Sequence, residues 1–202
     1  MKMEMQEVEE LLNLKHTGII DFTLRNTLDT VSQPWVPIPY DQFDRNFGMD
    51  SLRMYVKEAI LQARPTVIFS LDDVIGGYGH PEHVVVSQVA VEVSKKLHES
   101  GEFSVKRIYQ NVWPESQSVN IMGEGGPYAI GKEVYECDGM PEPDVQIDIS
   151  SAGSGKMSVL SAHASQHRNL KKFVPYYNYY PGWLYFGIFD KEHFRIINIQ
   201  GL

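Results

Sequence analysis

Apolar positions recur along the chain with two different periods. From Glu4 to Leu14, Met5, Val8, Leu11 and Leu12 form the i, i+3, i+7 stripe of a helix, and the glutamates between them read as a solvated face. Gly18 ends that unit, and Ile19-Ile20-Asp21-Phe22 predicts a short strand. Asn26 to Phe47 has no period; Pro34, Pro37 and Pro39 interrupt it, and it reads as a surface loop that forms one wall of a pocket. Trp35 within it reads as an aromatic anchoring the loop to the core, ahead of a sugar-stacking platform. Ser51 to Ala63 predicts a second helix, with Leu52, Tyr55, Val56, Ala59, Ile60 and Ala63 on one face. Arg64-Pro65 stops it. Pro65 to Ser70 is β-branched and aromatic and predicts a buried strand. Val84 to Leu97, apolar on most sides, predicts a buried helix, and Glu99 to Glu102 a turn.

The second half continues the alternation. Val105 to Trp113 reads as a strand. Pro114 to Pro143, rich in Gly, Ser, Glu and Pro, reads as a flexible lid or a hairpin excursion. Val145 to Ile149 is the next strand, Gly153-Ser154-Gly155 a turn, and Lys156 to Asn169 a helix. In that helix Met157, Leu160, Ala164 and His167 share one stripe, and His163 and Gln166 another. Tyr176 to Leu202, with Leu184-Tyr185-Phe186-Gly187-Ile188-Phe189, predicts one or two strands. They either close the sheet or extend across a subunit contact, which leaves a homo-oligomer open. The alternation of strand and helix predicts the α/β class: an open, mostly parallel, Rossmann-like sheet with flanking helices. Without repeats or a linker, residues 1–202 read as one domain.

Composition narrows the classes. The chain has 202 residues, 43% of them hydrophobic, which is enough for a core. Its net charge of −8 argues against nucleic acid or an anionic membrane surface as partner. The longest apolar runs are too short to span a bilayer, and Met1-Lys2-Met3-Glu4 opens no signal-peptide pattern. One cysteine, Cys137, allows no internal disulfide and suits a reducing cytoplasm. It reads as a solvent-near loop thiol whose pKa Glu136 and Asp138 raise.

The chemistry concentrates in Gly76-Gly77-Tyr78-Gly79-His80-Pro81-Glu82-His83, between the strand ending at Ser70 and the helix beginning near Val84. Ligands of open α/β sheets bind in loops at the carboxyl ends of strands. Pro81 suits the first helical position and pushes His80 into an extended conformation, so His80 is the N-cap and His83 lies in the first turn. The positive end of the helix dipole favours neutral imidazoles, the form that binds metal. The glycines let the backbone approach a ligand and let Tyr78 turn back over it. Asp72 and Asp73 read as loop caps, with a role as ligands the alternative. His98 reads as a surface group at a helix end. His163 either faces the pocket or is a buried histidine bonded to backbone. Gly153-Ser154-Gly155 lacks the other features of a phosphate loop.

The Gly76 to His83 stretch resembles the second signature of the LmbE/PIG-L-type N-acetylglucosaminyl deacetylases, most nearly the mycothiol-pathway type, which reads G-G-Y-G-H-P-D-H. A second match follows: Gln146-Ile147-Asp148-Ile149-Ser150, Lys156, and Ser161-Ala162-His163-Ala164-Ser165-Gln166 resemble the family's D-I-S … K … A-H-x-S-Q. The resemblance weakens after about Lys172. Glu82 stands where the family has Asp, and the family's first motif, A-H-P-D-D-E, has no counterpart, as though the first β-α-β portion were missing. The resemblance implies an LmbE-like fold and a Zn2+-dependent hydrolase that removes an acetyl group from a small N-acetyl amino-sugar conjugate. It makes His83 the metal ligand and His80 the group that protonates or stabilises the tetrahedral centre. Tyr78 becomes the donor to the oxyanion, and Glu82 the partner of His80.

The absent motif carries the family's other two zinc ligands and its general base. Three explanations follow: a truncated or mis-started reading frame of a true deacetylase, which is favoured; a catalytically inactive sugar-binding or assembly module; or replacement ligands from Asp72, Asp73, His163 or a partner chain. A non-enzymatic sugar- or nucleotide-binding module stays open beside them. The absent strands also predict an open, apolar sheet edge.

Overall fold

Residues 2–15, 17–18, 36–102, 104–123 and 125–200 are described by the computed structural model. The expected strand Ile19–Phe22 and Trp35 lie outside them. In chain order the elements are α1 (Lys2–Leu12), α2 (Phe43–Asn46), α3 (Met49–Ala63), β1 (Val67–Leu71), α4 (Pro81–Glu99) and β2 (Arg107–Asn111). There follow α5 (Glu115–Met122), α6 (Gly126–Val134), β3 (Val145–Asp148), α7 (Gly153–Ala162), α8 (His167–Phe173), α9 (Gly182–Ile188) and β4 (Lys191–Asn198). The strands form one open sheet in the order β1-β2-β4-β3, with β1 and β2 parallel and β4 running against β2. The α/β class with flanking helices therefore holds. Among the described residues no helix is long and apolar enough to cross a membrane.

The chain divides into two compact units, Met1–Ile20 with Gln146–Glu192, and Asp21–Val145 with His193–Leu202. In the larger unit Ile68, Ile108 and Ile197 align across β1, β2 and β4 on one sheet face. They join a core with Val84, Val85 and Val89 of α4 and Leu52 and Ile60 of α3. α4 is buried along most of its length, as its apolar sequence demands. The other face carries an aromatic row, Phe69, Tyr109 and Phe194, with Phe69 stacked on Tyr109 at 5.5 Å. β1 is not the buried strand its composition predicts. Among the described residues it is an edge strand, with Val67 37% and Phe69 65% exposed.

Two loop expectations are overturned in this unit. The end of the Asn26–Phe47 segment is no surface loop: Ile38, Phe43 and Phe47 are in the core, and Tyr40–Gln42 and α2 make short helical turns. The 114–143 stretch is neither lid nor hairpin, because α5 and α6 occupy most of it. Its buried positions Tyr128, Gly131 and Tyr135 do follow i, i+3, i+7. The central one is a glycine, so the stripe carries too little apolar weight to read as helical. Glu115 ties the two helices, accepting from the Tyr128 hydroxyl and the Lys132 ammonium at 2.9 Å each. Cys137 is half-buried against the core, and its pKa is raised by burial more than by acidic neighbours.

In the smaller unit α1 forms as expected and packs on α7. Gly153-Ser154-Gly155 is the first turn of α7, not a separate turn. Gly153 and Gly182 face each other so closely that a Cβ on either would lie within 2.7 Å of the other's carbonyl oxygen. That contact seats α9 on α7, and Leu184 to Ile188 is helical where its apolar run predicts a strand. Tyr185 and Phe186 enter the small core with Ile149 and Tyr177. The expected Lys156–Asn169 helix breaks at His163, whose backbone (φ −78°, ψ 59°) leaves the helical region before α8 begins.

Candidate functional site

The loop from Asp72 to His80 connects the carboxyl end of β1 to α4, and a buried carboxylate sets its path. Asp72 is 0% exposed. Its Oδ1 accepts the N–H groups of Val74, Ile75 and Gly76 at 3.1, 2.6 and 3.1 Å, and its Oδ2 accepts that of Gly77 at 2.6 Å. Burial pushes the Asp72 pKa up, and these four donors pull against that shift. The capping role expected for Asp72 is the one it has. Asp73 instead pairs with the Arg195 guanidinium of β4 at 2.8 Å, while its carbonyl accepts from Gln88 of α4.

Gly76 and Gly79 are required by space as well as by conformation. Their φ values are +61° and +96°. A Cβ on Gly76 would lie 2.7 Å from the Cβ of His83, and one on Gly79 would lie 2.8 Å from the Pro127 carbonyl oxygen. Gly131 of α6 also comes close to Gly79. Tyr135 reaches the Gly79 carbonyl at 3.4 Å, and Tyr40 stacks on Tyr135 at 5.0 Å and donates to the Val74 carbonyl. The loop is thus held from inside by Asp72 and from outside by α6 and Tyr40.

On this support the four residues singled out from the sequence come together. His80 is the N-cap of α4 with an extended backbone (φ −72°, ψ 116°), and Pro81 opens the helix. His80 and His83 stack with ring centroids 4.6 Å apart and planes 18° from parallel. Tyr78 meets both rings edge-on, at 6.0 Å from His80 and 5.3 Å from His83. The His80 Nδ1 lies 4.0 Å from the Glu82 carboxylate, an ion pair when the ring is protonated. At that separation the contact between Glu82 and His80 is one of charge and not a hydrogen bond. The His83 Nδ1 is 3.1 Å from the Gly76 carbonyl oxygen. A carbonyl can only accept, so Nδ1 carries the proton and Nε2 keeps the lone pair. Burial lowers the His83 pKa, and burial with the Glu82 charge raises that of Tyr78. Two stacked imidazoles disfavour a double positive charge. The cluster thus packs His83, whose pKa burial lowers, directly against the ring of His80.

The second motif lies in the smaller unit, and its polar residues are engaged locally. Asp148 accepts from Ser150 and pairs with Lys191 at 2.8 Å. Lys156 pairs with Glu192 and lies over the Phe186 ring. His163 is half-buried at the end of α7. Among the described residues no group of three His, Cys, Asp or Glu side chains is placed to hold a metal ion. A catalytic zinc needs three protein ligands and an open position. The described residues therefore do not complete such a site.

Sequence reasoning missed Tyr40, Gly131 and Arg195 as supports of the loop. Only Arg195 left a signal, since a charged side chain in a central strand requires a partner.

The chain is 33% identical over 132 residues to a 1D-myo-inositol 2-acetamido-2-deoxy-alpha-D-glucopyranoside deacetylase of Rhodococcus jostii, covering 60% of this chain and 45% of that protein. It is 27% identical over 127 residues to the enzyme of the same name from Acidothermus cellulolyticus, covering 58% and 42%. With that of Kineococcus radiotolerans it shares 25% over 159 residues, covering 71% and 44%. The chain thus spans under half the length of these relatives. No protein-family model and no solved structure matches it. The resemblance to the mycothiol-pathway deacetylases read from the two motifs is borne out by these relatives.

Proposed function

We propose, from this kinship with N-acetylglucosaminyl-inositol deacetylases, that the chain is a cytoplasmic amide hydrolase acting on a small N-acetyl amino-sugar conjugate, with the proton-transfer groups of its site on the loop before α4. The observation that carries the reading is the joint placement of Tyr78, His80, Glu82 and His83 on the rigid loop before α4. In this reading His80, poised beside Glu82, delivers a proton to the departing amine. The Tyr78 hydroxyl, kept protonated by burial, donates to the oxyanion of the tetrahedral centre. His83 presents Nε2 as one metal ligand, and ligands outside the described residues complete the set. In a zinc hydrolase the metal supplies an activated water and polarises the scissile carbonyl. The described residues do not complete a site for it, so the roles assigned are those of the protein groups alone.

The test is zinc content by elemental analysis together with amine release from N-acetylglucosaminyl-inositol, on the purified chain of confirmed mass. The reading expects bound zinc and amine release, both lost in His83→Ala. A second reading, a catalytically inactive sugar-binding or assembly module, is favoured by the lack of a three-ligand group among the described residues. It expects a folded chain without zinc or turnover, whose sugar binding survives His83→Ala.

A further inference from the structure

The peptide between Gly76 and Gly77 is gripped at both ends. Its N–H, that of Gly77, donates to Asp72 Oδ2 at 2.6 Å, a short, charge-assisted bond. Its C=O, that of Gly76, accepts from His83 Nδ1 at 3.1 Å. One amide therefore stands between a buried carboxylate and an imidazole. Hydrogen bonds in series polarise one another: a carboxylate on the N–H drives electron density onto the carbonyl oxygen and makes it a better acceptor. The three other N–H groups on Asp72 fix the carboxylate; the trans peptide points its N–H and C=O opposite ways, and the positive φ of Gly76 and Gly77 sets the direction in which that amide faces. A side chain at Gly76 would collide with His83 itself, so this approach of peptide to ring is open only to glycine.

We infer that Asp72 is a positioning residue for His83, acting through the Gly76–Gly77 peptide to lock the ring in its Nδ1–H form and direct the Nε2 lone pair outward. Metal-binding histidines commonly donate their second nitrogen to a carboxylate or a carbonyl, which fixes tautomer and basicity. Here the two devices are joined in series. The consequence for metal binding rests on the reading of His83 as a ligand, whereas the lock itself does not.

The test needs no metal. Long-range 1H–15N spectra of the imidazoles are recorded on the metal-free chain at about pH 8, where ordinary histidines are neutral. His83→Gln identifies the His83 signals among the seven histidines. The wild type should show the Nδ1–H tautomer alone, and a Gly77 amide proton shifted downfield and slow to exchange. Asp72→Asn, which keeps the shape and removes the charge, should move the tautomer ratio toward Nε2–H by about tenfold, the lower end of what losing such a partner costs in affinity. An Nε2–H ring in the wild type overturns the inference, as does an unchanged ratio in a folded Asp72→Asn. Should Asp72→Asn not fold, the wild-type Gly77 amide decides: an ordinary shift with fast exchange overturns it, and a downfield, protected amide supports it. Zinc titration of the same samples separates the two proposals. A tautomer shift without zinc binding keeps the lock and removes the ligand reading; zinc binding with an unmoved tautomer does the reverse.

Discussion

The two stretches that carry the family resemblance are used differently. In the Gly76–His83 loop the polar backbone is tied down by Asp72, and the side chains of Tyr78, His80 and His83 gather into one cluster of rings. In the Asp148–Gln166 stretch the side chains are what is tied down: Asp148 to Lys191, Lys156 to Glu192, and Ser165 to Glu4 of α1. In the proposed reading the first arrangement pre-positions the reacting groups on a fixed backbone. The second binds the elements of the smaller unit to each other.

The sharpest way to break this contrast is through Tyr78. Tyr78→Phe should lower amine release by about 10²–10³-fold, the effect of deleting one oxyanion donor. An equal loss in Lys156→Met would erase the distinction between the stretches. Glycine replacements probe the same contrast through stability. Gly76→Ala forces a Cβ to 2.8 Å from the Val84 backbone nitrogen at φ +61° and should cost about 2–4 kcal/mol in urea unfolding. Gly155→Ala, in α7 with nothing within 4 Å of the new methyl, should instead stabilise by about 0.5–1 kcal/mol.

Acid titration gives a smaller effect with a definite sign. Burial holds the folded His83 pKa below its unfolded value near 6.5, so on acidification the unfolded chain takes up a proton first. The His83 contribution therefore destabilises progressively from about pH 6.5 downward and levels off below the folded pKa. His83→Gln should flatten the dependence of the urea midpoint on pH across that window. A steeper dependence in the variant would mean that the ring is not buried neutral.

Local chemistry was the legible part of the chain. Pro81 dictated that His80 is a cap, and the crowding of glycines before it dictated a loop of positive φ. The α4 sequence could be nothing but buried. What stayed hidden depended on partners far away in sequence. α6 shows its period only once Gly131 is known to abut Gly79. α9 is apolar on all sides, so it offers no period at all, and only the Gly153–Gly182 contact gives it an inner face. Of the site, the grouping of Tyr78, His80 and His83 and the His80 cap are legible in the sequence, whereas Asp72 reads there as a loop cap or a ligand and not as a partner of the peptide that meets His83. Nothing in the spacing of Asp72 and His83 reveals that one peptide joins them.

The edge strand has a practical consequence. Val67-Ile68-Phe69-Ser70-Leu71 carries no charge and no proline, the devices by which natural edges resist further pairing. Among the described residues β1 is the strand expected to draw molecules together in concentrated stocks, as haze or slow precipitation on storage, and the net charge of −8 opposes it. Phe69→Lys, a charge placed on the most exposed position of that strand, should lengthen shelf life while leaving the histidine loop undisturbed.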